Sequence, residues 1–170
     1  MISDDDNTTK DRFPKRARVK DWLSTEWSLS DIYDPNTHWI VQATNKDATA
    51  EGQAFVVLQT TVSPDQLLIQ GSVEIVPEMQ KQITEMTAAD RRDLFWELRF
   101  GLLNLGVEFT GVTEPLEFVM VRKCIWDDAL TKDRFMTRVD AVNSAVIFVV
   151  WTLQRRLPDS ESGVESSSIN

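Results

Sequence analysis

One cysteine and one histidine are all that 170 residues carry. The lone cysteine, Cys124, excludes an internal disulfide and any zinc cluster built on thiolates. That usage fits a reducing compartment. The lone histidine, His38, and the lack of a His-Glu-x-x-His pattern exclude the common zinc hydrolase sites. Serine is scarce between the two ends, and no Gly-x-Ser-x-Gly forms a nucleophile elbow. The glycine-rich phosphate cradles, GxxxxGK[ST] and GxGxxG, are missing too. No apolar run approaches the roughly 18 residues that a membrane span needs. The longest is Ala145–Trp151. The opening MISDDDNTTKDR has no apolar stretch after a basic one, so it does not read as a signal peptide. A soluble cytoplasmic protein is expected, without membrane partner, metal or cofactor.

Positive charge is also in short supply. Eighteen Lys and Arg stand against 27 Asp and Glu, for a net charge of −9. Residues 1–12 contribute −2 and residues 159–170 contribute −3, which leaves −4 for Phe13–Pro158. Phosphate-binding surfaces need a basic face. The balance argues against nucleic acid and favours solubility.

What is present is patterning. Residues 1–12 and 158–170 are polar and acidic and are expected to be disordered tails around one domain, 13–157. A helix is expected over Lys15–Trp27, opened by Pro14, with Val19, Trp22, Leu23 and Trp27 on one side. Strands follow at His38–Thr44, Gln53–Thr61 and Gln66–Val76, separated by the polar stretch Asn45–Gly52 and by Ser63-Pro64-Asp65. In the third, Leu67, Ile69, Val73 and Ile75 alternate with polar neighbours apart from Leu68, as in a strand with one wet face. A short helix fits Glu78–Met86. Thr87 to Asp90 resembles a capping box that opens a helix to Leu105, with Gly106 as its left-handed stop. Strands at Val107–Thr110 and Leu116–Trp126 precede a last helix, Lys132–Leu157, capped by Thr131. The order α-βββ-α-ββ-α, with strands clustered between helices, predicts an α+β fold. It has a mainly antiparallel five-stranded sheet with helices packed on it.

Two helices carry more apolar surface than one partner can cover. In the last helix, Phe135, Val139, Val142, Val146, Val149 and Leu153 form a core stripe, while Ala145–Trp151 is apolar all round. In the second long helix, Leu94, Leu98, Leu102 and Leu105 oppose Trp96, Phe100 and Leu103. The candidate interaction residues are therefore Trp96, Phe100, Leu103, Ile147, Phe148 and Trp151. The neighbouring helix, a second copy of the chain or a client protein could each cover them.

No catalytic residue emerges. His38 has no partner motif, and a surface or structural role suits it. Cys124 lies in a strand beside Ile125 and Trp126, as buried inert thiols do. Asp127 and Asp128 could hold a hard cation, but they also suit the approach to a helix N-terminus. Glu97 and Arg99 are two apart and do not face each other. The basic cluster Lys15, Arg16, Arg18 and Lys20 could touch an anion, or be a solvated helix face. An enzyme or ligand-binding domain would need His38, Glu97, Asp127 or Asp128 around one cleft.

The segments LLIQGSVEIVP, LFWELRFGLLNLGVEFTGV, FVMVRKCIW and FMTRVDAVNSAVIFVVWTL, in that element order, resemble the type III secretion chaperone-like fold. The YbjN-type relatives, many of unknown function, are the more similar. The resemblance spans about Lys15 to Leu157. It implies a non-enzymatic protein-binding or chaperone-like role, often with homodimerisation. It brings no site residues.

Overall fold

The computed structural model describes residues 13–47 and 54–157. The two expected tails and much of the polar loop before residue 53 lie outside them. Helix α1 (Pro14–Leu23) begins with proline in its first turn, where the missing N–H has no partner to lose. It leads to strand β1 (Trp27–Ile32), then β2 (Thr37–Asn45), β3 (Ala54–Thr60) and β4 (Gln66–Glu74). Helices α2 (Pro77–Glu85) and α3 (Ala88–Asn104) cross to the short strand β5 (Glu108–Thr110). Strand β6 (Phe118–Trp126) and the long helix α4 (Lys132–Arg156) follow, the last elements among the described residues.

The fold is α+β. Six strands form one antiparallel sheet in the order β1-β2-β3-β4-β6-β5. The sequence predicted five. The extra strand is β1, at an edge, and its first residue, Trp27, is the expected end of the first helix. That helix stops at Leu23 instead of Trp27. Ser24, Thr25, Ser28 and Ser30 follow, and such side chains compete with helical hydrogen bonds. An edge strand needs few apolar residues. Here Trp27, buried edge-on against Phe55 at 4.7 Å, and Leu29 supply them.

One face of the sheet carries the helices. Val41, Val57, Ile69 and Val121 join α4 side chains such as Phe135 and Val146 in one core. Thr87 and Thr131 cap α3 and α4 by accepting from the backbone N–H groups of Asp90 and Arg134. Gly106 has φ +64°, the left-handed stop its position predicted. By length and composition α4 could cross a bilayer. Its buried stripe instead faces β4 and β6.

At the β1 edge, Asp31 shares the helix-bearing face with Val41 and lies against α1. Arg16 donates to it through Nε (3.2 Å) and Nη2 (2.6 Å), and Lys20 through Nζ (2.6 Å). A charge pointing inward on an edge strand discourages pairing with a foreign strand. Burial pushes the Asp31 carboxyl up, but hydrogen bonds from Lys20 and Arg16 and their charges outweigh it and hold it below the ordinary carboxylate range. A depressed folded pKa gives stability that is present above the unfolded value, about 3.9. That stability is lost as pH falls through the folded value. Asp31→Asn should therefore be less stable than wild type at pH 7, with the gap closing as the pH falls below about 4. Urea midpoints at several pH values test this, and a gap unchanged across those values would contradict it.

Candidate functional site

The helix layer exposes large apolar side chains on α3 and α4, which lie side by side. They run antiparallel. Glu97 of α3 meets Arg155 and Arg156 near the end of α4, and Gly101, one turn on, meets Phe148 earlier in α4. Arg156 donates to Glu97 Oε2 through Nε (2.9 Å) and Nη2 (2.7 Å), and Arg155 reaches Oε1. Gly101 is where a small residue is required. A Cβ there would collide with the end of the Phe148 ring. Phe148 thus rests on the neighbouring helix, and that contact covers part of the surplus apolar surface of α4.

The rest is uncovered. Leu94, Leu98 and Leu102 point into the core, and the opposite side of α3 faces solvent. Trp96 is 48% exposed, Phe100 57%, Leu103 60%, and Trp151 of α4 69%. Trp96 and Phe100 stack with centroids 5.2 Å apart. Arg99 lies 5.8 Å from the centroids of both Phe95 and Trp96 and donates to the Val112 carbonyl at 2.9 Å, fixing α3 beside the β5–β6 loop. Of the six candidate interaction residues, four are exposed, and Ile147 and Phe148 are half-buried. Helical phase puts Ile147 and Trp151 on the outward side of α4.

The groups that an enzyme reading needed do not converge. His38 is exposed near Phe13, ring centroids 6.0 Å apart, in a shallow groove with Asp31 and Tyr33. Glu97 is committed to α4. Asp127 pairs with Lys15, and Asp128 is exposed. A second groove, beside Arg91 and Glu114, contains none of the four. Cys124 is half-buried, on the sheet face away from the helices. Among the described residues, no three His, Cys, Asp or Glu side chains gather to hold a metal ion.

The basic cluster of α1 is spent inside the fold. Lys15 pairs with Asp127, Arg16 and Lys20 with Asp31, and Arg18 donates to the Leu130 carbonyl at 3.3 Å while lying over Trp22. These links tie α1 to the sheet edge and to the start of α4. They also explain why basic residues sit at a helix N-terminus that alone would disfavour them. Nothing local to Glu97 marks it as the α3–α4 tie, because its partners lie 58 and 59 positions away.

A crystal structure of an uncharacterized protein from Methanothermobacter thermautotrophicus has the same fold. It superposes with a TM-score of 0.72 at 24% identity, over 83% of this chain and 97% of that one. A search of curated proteins finds no match. Residues 15–153 match the family described as uncharacterized conserved protein DUF2299, a span that takes in the whole α3 surface and α4 through Trp151, and the chain belongs to that family.

Proposed function

We propose that this protein is a non-enzymatic protein-binding module, chaperone-like in character, that works in the cytoplasm and binds through the outward face of the α3–α4 pair. One observation carries the reading: four large apolar side chains, Trp96, Phe100, Leu103 and Trp151, stand exposed on the α3–α4 pair of a protein with a net charge of −9. Tryptophan and phenylalanine are enriched at interfaces, and tryptophan at their energetic centres. Roughly half or more of each of the three aromatic residues, Trp96, Phe100 and Trp151, is exposed. The three rings together offer on the order of 350 Å² of aromatic surface. Patches of that size on a monomer are commonly functional. The similarity to the type III secretion chaperone-like fold and its YbjN-type relatives points the same way. The single cysteine suits a reducing compartment. The enzyme or ligand-binding alternative gains no support from the scattered positions of His38, Glu97, Asp127 and Asp128.

A photo-crosslinking amino acid at position 100, in the full chain expressed in its native host, tests this reading. A discrete protein adduct is expected from position 100, whereas the same probe at the exposed position 62, in the turn between β3 and β4, should give none. If position 100 yields no adduct while the protein stays folded, the protein-binding reading fails.

A further inference from the structure

The outward stripe of α4 is complementary to itself. Asp140, Ser144, Ile147, Trp151 and Arg155 follow one another at steps of four, three, four and four. On a helix of 3.6 residues per turn they fall within an arc of about 80°. Asp140, Ser144, Trp151 and Arg155 are exposed and Ile147 is half-buried. The stripe passes from acidic through apolar to basic over roughly 22 Å of helix. A second stripe laid on it in parallel would put acid on acid and base on base. Laid antiparallel, with a two-fold axis between Ile147 and Phe148, the order matches. Asp140 then faces the partner's Arg155, Ser144 faces the partner's Trp151, and Ile147 sits at the centre.

From this pattern we infer that the partner on the α3–α4 face is a second copy of this chain, joined along an antiparallel α4–α4 seam. The inference rests on the protein-binding reading above and adds its partner and register. A two-fold interface uses the same patch on both copies, so each pairing occurs twice. Small opposite large at positions 144 and 151 lets the helices approach, and Trp96, Phe100 and Leu103 stand exposed on the neighbouring helix α3. The aromatic surface on each copy is close to half of the roughly 800 Å² that one partner contributes to a standard interface. Arg155 is available for this role. Its side chain is 67% exposed while it reaches Glu97, and Arg156 keeps two hydrogen bonds to that carboxylate if Arg155 turns away.

Charge reversal tests the register. Wild type should be dimeric by light scattering at about 100 µM. Asp140→Arg alone sets Arg against Arg at both ends of the seam, and Arg155→Asp alone sets Asp against Asp. Each should weaken association by about tenfold or more, because two attractive pairs become repulsive. An equimolar mixture of the two variants should restore the dimer, since each copy then supplies the charge that the other lacks. Circular dichroism matching wild type shows that both variants fold. A monomeric wild type, a single variant that dimerises as well as wild type, or a mixture that stays monomeric overturns the inference. Crosslinking at position 100 to a different protein alongside a monomeric wild type would sink the second-copy inference and leave the protein-binding reading standing.

Discussion

Phe135→Ala is expected to cost the fold about 3–5 kcal/mol, among the largest effects open to a single substitution here. Phe135 has no exposed surface. Its ring lies 5.5 Å from that of Trp22, so it joins α1 to the first turn of α4. Removing it leaves a cavity beneath two helices that meet there, and Trp22, held over by Arg18, has little freedom to refill it. Urea unfolding should show a lower midpoint at an unchanged slope, and a melting temperature lower by on the order of 10 °C. Phe100→Ala supplies the contrast. The residue type is the same but is 57% exposed, and at protein concentrations low enough to exclude association its effect should stay within about 0.5 kcal/mol. A Phe135→Ala variant as stable as Phe100→Ala would mean that α1 is not anchored as described.

The difference between those two phenylalanines was largely legible in the sequence. A helix imposes its period on side chains, so Leu94, Leu98 and Leu102 had to share one side and Trp96 and Phe100 another. Phe135, Val139, Val142, Val146, Val149 and Leu153 fell on one stripe for the same reason, and all six are buried. Alternation in β4 placed Leu67, Ile69 and Val73 inward, as found. Caps and stops such as Thr87, Gly106 and Thr131 are local chemistry and could be read locally.

Features set by distant partners could not be read that way. Strand β1 exists because β2 offers an edge and Phe55 a surface for Trp27, and nothing within WSLSDI announces either. The basic start of α1 reads locally as a solvated face or an anion contact. Its neutralising carboxylates, Asp31 and Asp127, are brought in by the sheet and by the turn after β6. Glu97 lay in plain view, but its role needs α4 to run antiparallel to α3. The apolar surplus of Ala145–Trp151 divides in a way that only packing reveals. Ala145, Val146 and Val149 are in the core and Phe148 rests on Gly101. Trp151 remains, and it belongs to a stripe whose ends, Asp140 and Arg155, are charged.

That stripe faces outward only because α4 sits close on the sheet, and Gly71 sets how close. A Cβ at position 71 would stand 2.7 Å from Val146 Cγ2 and 3.2 Å from Val142 Cγ1, with Val121 Cγ2 at 3.7 Å. The first distance is shorter than packed carbons tolerate, and both valines are β-branched and stiff at χ1, so neither can swing clear cheaply. Gly71→Ala should therefore destabilise by about 1–3 kcal/mol, and Gly71→Val by more, although alanine and valine favour a strand interior over glycine in an open site. The cause can be separated from backbone effects by a second change. Val146→Ala alone opens space and destabilises, but placed with Gly71→Ala it vacates the room that the new methyl needs. The pair should be more stable than the sum of the single costs predicts, by about 0.5–3 kcal/mol of coupling. Chemical denaturation of all four proteins gives that coupling directly. Additive costs would mean that α4 yields freely at this point. If instead the coupling appears and Gly71→Ala also weakens self-association, then the seat of α4 on β4 governs the surface it presents, and the sheet glycine acts on the binding face through the helix above it.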